Sequence, residues 1–262
     1  MAYVQVNEHS MGGKFLIYGQ EGSGKTNLGK QFPSPIIMRT ERGVNEIGGK
    51  YLDSSSYEEA RSDLIDLYNS EGMYGSKSLI IDSLTALESM VHVSFCNQKN
   101  IAELQDLGGK KMGGAYVWRE AVLPIWHDLQ NLLDAIQLKF SCNIVIIAHN
   151  RMKSEKLAYT ESYSMEDLDM LNPKASESFR RWSDVNGFIY NKVMVRNVGD
   201  QMAKNNIGTG LGEKVIGLKR SAWYYAKTRD FSGRIDSSSI DEIPYEKDGA
   251  SFFNLFDPVI SK

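Results

Sequence analysis

The chain has 262 residues, 42% of them hydrophobic, enough for one large α/β core or two small ones. Its formal net charge of −3 excludes a protein that coats nucleic acid with its whole surface, so any such contact must come from local loops. Cys96 and Cys142 lack metal-site spacing and suit a reducing compartment. With no signal-peptide core and no apolar run of membrane-spanning length, a cytoplasmic protein without a membrane partner is expected.

No linker-like stretch and no internal repeat divides the sequence, so a single domain over residues 1–262 is expected, with residues 1–13 as a lead-in. Phe15-Leu16-Ile17-Tyr18 reads as a buried strand. Gly19-Gln20-Glu21-Gly22-Ser23-Gly24-Lys25-Thr26 follows and fits G-x-x-x-x-G-K-[ST], and a helix over residues 26–31 stops before Pro33. Strand, glycine-rich loop and helix are the setting this motif requires. Glycines let the backbone curl so that N–H groups meet phosphate oxygens, and the helix start adds partial positive charge. Lys25 is expected to reach the outer phosphates and Thr26 to offer its hydroxyl to magnesium. Gly19 to Thr26, with Asn27 just beyond, are the expected nucleotide-binding residues.

Ile36-Ile37-Met38-Arg39-Thr40 is a second strand, ending at Glu41-Arg42-Gly43. Ser56-Tyr57-Glu58-Glu59 has the form of a capping box and opens a helix with Tyr57, Ala60, Leu64, Ile65 and Tyr68 on one face. Ser78-Leu79-Ile80-Ile81-Asp82 reads as a central parallel strand, apolar without alternation. A helix over residues 84–96 leads into a polar loop, 97–114, containing Lys110 and Lys111 between glycine pairs. A long helix follows, bent at Pro124, with Trp118, Ala121, Val122, Ile125, Leu129, Leu132, Leu133 and Ile136 buried. Ile144-Val145-Ile146-Ile147-Ala148 is another buried strand, ending in His149-Asn150. Residues 151–173 show no sustained period and read as a long loop. A helix over 174–182 and two strands, 185–196 and 215–229, complete the core. Residues 241–262 form an extension with a short extended piece and a small amphipathic segment.

Strands alternating with helices imply a mainly parallel sheet flanked by helices, with a β-hairpin towards the C-terminus. In such sheets ligands bind at the carboxyl ends of strands, where Gly19, Glu41, Asp82 and His149 all fall. Asp82 either caps the next helix or holds magnesium, and one side chain can do both. Glu41 is either a base that orients water towards the γ-phosphate or an exposed turn residue. His149 either touches the γ-phosphate or simply bonds its neighbours.

Four segments resemble the RecA-like recombinases. Thr40-Glu41-Arg42-Gly43 resembles their D-[AT]-E segment, and Leu79-Ile80-Ile81-Asp82-Ser83-Leu84-Thr85-Ala86-Leu87 is similar to their V-D-S-x-x-A-L Walker B run. Ile146-Ile147-Ala148-His149-Asn150 is similar to I-N-Q with histidine for glutamine, and Ala226-Lys227-Thr228-Arg229 to the late basic pair. Length and the Thr-Glu-Arg-Gly form look most like phage-encoded RecA-core ATPases that anneal single strands. The resemblance implies a RecA-like P-loop core with ATP and Mg2+ as cofactors. It makes Glu41 the catalytic base, His149 the γ-phosphate sensor, and Lys227 and Arg229 fingers reaching a neighbouring subunit's nucleotide. It also places single-stranded-DNA contacts in residues 97–114 and 151–173, through Lys110, Lys111, Arg151, Lys153 and Lys156. The second of these loops is acidic (Glu155, Glu161, Glu166, Asp167, Asp169), although Tyr159 and Tyr163 can stack on bases.

The implied partners are single-stranded DNA, further copies of the chain in a ring or filament with nucleotide at the interface, and a single-strand-binding protein. The implied location is the host cytoplasm. Two other expectations stay open: a regulatory or partner-loading ATPase that acts on protein, and a small replicative helicase core.

Overall fold

The computed structural model describes residues 11–41, 49–107, 116–156, 161–198, 205–229 and 240–260. Its centre is the parallel set β1 (Lys14–Gly19), β2 (Pro35–Arg39), β3 (Lys50–Asp53), β4 (Ser78–Asp82), β5 (Asn143–Glu155) and β7 (Val185–Val198). β6 (Tyr163–Leu168), β8 (Asn205–Gly217), β9 (Lys227–Thr228) and β10 (Glu242–Pro244) join antiparallel. The order across the sheet is β10-β8-β7-β1-β5-β4-β2-β3, with β6 on β5 and β9 on β7. β5 therefore lies between the phosphate-loop strand and the Asp82 strand. The architecture is α/β, a mostly parallel sheet flanked by helices, with the glycine-rich loop leaving the carboxyl end of β1.

Both faces of the sheet are covered, which explains why its central strands read as unbroken apolar runs. Leu16 and Tyr18 of β1, Leu79 and Ile81 of β4, and Ile144, Ile146 and Ala148 of β5 pack under α2 (Tyr57–Asn69), α3 (Leu84–Lys99), α4 (Val117–Phe140) and α5 (Pro173–Trp182). The alternate residues Phe15, Ile17, Ile80, Val145 and Ile147 face α1 (Lys25–Lys30) and α6 (Ala250–Ile260), where Phe15, Phe32, Phe252 and Phe256 interlock.

The helix starts are set by side chains. Ser56 accepts from Glu59 N at the head of α2, but Glu59 reaches back to Ser55 rather than Ser56, so the expected capping box closes one residue early. Leu67 is buried at the end of that helix, where Tyr68 turns outward. Asn172 accepts from Lys174 N and Ala175 N ahead of Pro173, a cap worth about 1 kcal/mol. α4 continues through Pro124, with Trp126 fully buried beside the expected stripe.

Four expectations are corrected. Residues 151–173 are not an irregular loop: β5 runs on to Glu155 and pairs with β6, Arg151 opposite Asp167 and Lys153 opposite Met165. Their period is hidden because one face carries salt bridges, Lys153–Glu155 and Arg180–Asp167, in place of apolar residues. His149 consequently lies inside β5, not at its end. The 97–114 loop begins later than expected, since α3 runs to Lys99 and Asn100 ends it in the left-handed region. Of the expected strand 215–229, β8 already starts at Asn205 and ends at Gly217, and only Lys227–Thr228 is strand again. The glycines scattered through 208–217 mask its alternation. β3, four residues with charged ends, was not expected at all.

Candidate nucleotide site

β1 delivers the chain to Gly19, and the loop to Gly24 turns it into α1. Gly22 (φ 70°) and Gly24 (φ 100°) sit in the left-handed region, where a side chain is strained. A Cβ on Gly19 would lie 2.4 Å from the Ile189 carbonyl oxygen, so the loop also needs glycine for close packing. Lys25 is buried at 6% exposure, and its Nζ donates to the carbonyls of Gly19 and Gln20, both at 2.8 Å. Burial lowers its pKa, while Asp82, Glu41 and Glu21 pull the other way. Ser23 Oγ is buried without a hydrogen-bond partner among the described residues. An orphaned hydroxyl, a buried lysine and left-handed glycines in one loop fit a polyanion such as a triphosphate.

Asp82 ends β4, and Thr26 Oγ1 donates to its Oδ2 at 2.6 Å. Burial raises the Asp82 pKa, partly offset by the Thr26 bond. This hydroxyl and single carboxylate are hard oxygen donors of the kind magnesium takes alongside phosphate and water. No group of three or more acidic, His or Cys side chains among the described residues makes a metal site by itself.

Glu41 stands two residues beyond β2 and lines a small cavity of about 50 Å³ with Thr26 and Asp82. Its Oε1 accepts from Ser83 Oγ and lies 3.1 Å from His149 Nε2. His149 is opposite Gly19 in the β1–β5 register, and its backbone N–H donates to Thr85 Oγ1 at 3.0 Å. The structure thus brings together Lys25, Thr26, Asp82, Glu41 and His149. Ser83 and Thr40 were missed as parts of the site. Thr40 Oγ1 donates to Ser83 O and accepts from Ser83 N, both at 2.8 Å, locking the ends of β2 and β4 together.

Tyr245 was missed too. Its hydroxyl donates to Gly24 O at 3.0 Å, and Asn27 Nδ2 donates to Lys247 O at 2.6 Å, so the chain after β10 lies against the start of α1. A glycine at 24 leaves the room that ring occupies, since a Cβ there would meet the Tyr245 hydroxyl at 2.2 Å.

Other expected residues lie elsewhere. Lys227 Nζ donates to Arg180 O at 2.5 Å, and Arg229 donates to Arg181 O and to Asp184 Oδ1. Both cations close the C-terminal end of α5, where carbonyls favour positive charge. Lys227 pairs with Asn186, which is in register with Leu16, so the pair sits towards the start of β1 and away from this chain's phosphate loop. Burial, with Arg229 nearby, lowers the Lys227 pKa to about 8. Lys153 is engaged by Glu155 at 3.1 Å, Arg151 is half-buried in the hairpin, and Lys156 is exposed just beyond the end of β5. Lys110, Lys111, Arg42 and Tyr159 lie outside the described residues. None of the described helices is long and apolar enough to cross a membrane.

A family model described as an AAA domain matches residues 11–229. The SPbeta prophage-derived uncharacterized protein YorG of Bacillus subtilis strain 168 is 23% identical over 152 residues, 56% of this chain and 44% of that protein. The match thus spans less than half the length of that relative. Among solved structures, the chain is similar to the RadB recombinase (11% identity, 81% of this chain and 82% of that one, TM-score 0.44). It is also similar to the flagellar accessory protein FlaH of Methanocaldococcus jannaschii (12% identity, 90% and 86%, TM-score 0.45).

Proposed function

Because the chain belongs to the AAA domain family, we propose that it is a magnesium-dependent ATPase that binds single-stranded DNA and promotes strand annealing or recombination. The ATPase half rests on Lys25, Thr26 and Asp82 around one loop, with Glu41 poised beside them. Lys25 would hold the outer phosphates, and Thr26 and Asp82 would hold magnesium, which neutralises phosphate charge during transfer. Glu41 would orient the attacking water and take its proton.

One observation carries the DNA half: β5 passes through His149, in contact with Glu41, and continues without a break into the β5–β6 hairpin. A change at the γ-phosphate that moves His149 therefore acts on the strand that forms the hairpin. Lys153, Arg151 and Lys156 on that hairpin, with Lys110 and Lys111, are the proposed DNA contacts. Turnover is expected to rise severalfold when single-stranded DNA is added to the purified chain in a steady-state phosphate-release assay. Unchanged turnover, together with no DNA binding, rejects this half.

A second reading, a partner-loading ATPase that acts on protein, is favoured by the acidic residues Glu155, Glu161, Glu166, Asp167 and Asp169 on the hairpin. Kinship with a prophage-derived protein supports a phage setting for the first reading.

The assembly proposed is a homo-oligomer in which Lys227 and Arg229 meet the neighbour's γ-phosphate. Their place away from this chain's own loop suits action in trans. To do so they must release the α5 carbonyls. A Lys227→Ala, Arg229→Ala protein mixed with a Glu41→Gln protein is expected to regain part of the lost turnover. Some interfaces then pair an intact base with intact cations. Additive activity at every mixing ratio means these residues act only within their own chain.

A further inference from the structure

Residues 219–225, between β8 and β9, lie outside the two expected loops and carry an exposed cation and an exposed indole that line one cavity. Backbone bonds hold the segment: Glu166 N donates to Trp223 O at 2.7 Å, Tyr225 N to Glu166 O at 3.3 Å and to Tyr18 Oη at 3.1 Å. It thereby extends the β5–β6 hairpin by one further, irregular strand. Trp223 is 44% exposed, yet its indole is fixed edge-to-face against Tyr190 (4.6 Å), Tyr224 (4.7 Å) and Phe188 (5.9 Å).

Arg220 is exposed and lies 5.7 Å from the centroid of Tyr225, whose ring Arg180 also approaches, at 4.6 Å. It stands on the ridge between two cavities. One, of about 730 Å³, is bordered by Trp223 and Tyr190, and the other, of about 280 Å³, by Lys153 and the hairpin. The acids along this path are already matched: Asp241 by Lys219 at 2.9 Å, Glu242 by Tyr190 and Lys192, and Asp167 by Arg180. Arg220 has no carboxylate partner among the described residues. A rigid exposed aromatic beside an uncompensated guanidinium is what a nucleobase and its neighbouring phosphate require.

We propose that residues 219–225 are a third contact for single-stranded DNA, with Trp223 stacking on a base and Arg220 meeting the adjacent phosphate. This rests on the DNA-binding reading above and extends it to a segment outside the two expected loops. The test is fluorescence anisotropy of a labelled oligo(dT) with the full chain across a salt series. Trp223→Ala is expected to weaken binding about tenfold and Trp223→Phe much less, while basal ATPase stays at the parent level. Arg220→Ala, at an exposed position, is expected to reduce the slope of log affinity against log salt by about 0.7. If the parent binds and Arg220→Ala and Trp223→Phe both match it in affinity and slope, with any loss in Trp223→Ala traced to a lower melting temperature, this inference fails and the DNA-binding reading stands. If the parent itself does not bind oligo(dT), both fall.

Discussion

Replacing Lys25 by alanine is expected to lower ATP affinity about a hundredfold and to leave no measurable turnover. The ammonium is buried and bonded to the Gly19 and Gln20 carbonyls, so it is held at the mouth of the loop rather than dispersed in solvent. Burial already strains its charge, and an anion placed there gains the full benefit of that poorly solvated cation. Removing one partner of such a contact costs on the order of 3 kcal/mol, because the phosphate is left desolvated and unpaired. Its side-chain hydrogen bonds go only to carbonyls of its own loop, so the circular-dichroism spectrum should match the parent. Isothermal titration with ATP reads the first effect and phosphate release the second. Parent-like affinity in the folded variant would remove the phosphate-loop assignment, and with it every role given to Thr26 and Asp82.

The parts of this site that were legible in the sequence are those fixed by local rules. Residues 19–26 satisfy a spacing that backbone geometry demands, and β1, β4 and β5 announce themselves because both their faces are buried. Asp82 and Glu41 follow from strand ends. What stayed hidden depends on contacts distant in the chain. Tyr245 bonds to Gly24 across 221 positions, and no local period signals it. The Thr40–Ser83 lock needs β2 and β4 as neighbours, which motif spacing does not state. The hairpin after His149 shows no apolar alternation because its inner face pairs Arg180 and Lys153 with Asp167, charge in place of hydrocarbon. Lys227 lies in β9 and Arg229 just beyond it, and the α5 carbonyls that hold both leave no local signal in the sequence.

Glu41→Gln is expected to separate binding from hydrolysis. Its carboxylate takes a hydrogen bond from Ser83 Oγ and faces His149 Nε2, so its position is set by groups that also accept a glutamine amide. The amide oxygen can still receive the Ser83 proton, and the volume is nearly unchanged. ATP affinity should therefore stay close to that of the parent, since neither Lys25 nor the loop loses a partner. The amide is a far weaker base, and loss of a positioned general base costs about 10² to 10⁴ in rate. The fall belongs in kcat rather than KM, because the missing step is the proton transfer from water. Asp82→Asn serves as the contrast. It removes the carboxylate that bonds Thr26, so it should weaken magnesium-dependent ATP binding itself. If Glu41→Gln keeps parent turnover while Asp82→Asn abolishes it, the base is not Glu41. If Glu41→Gln loses binding and turnover together, the glutamate supports the site's structure, and the water must be activated by another group beside the Thr26–Asp82 pair.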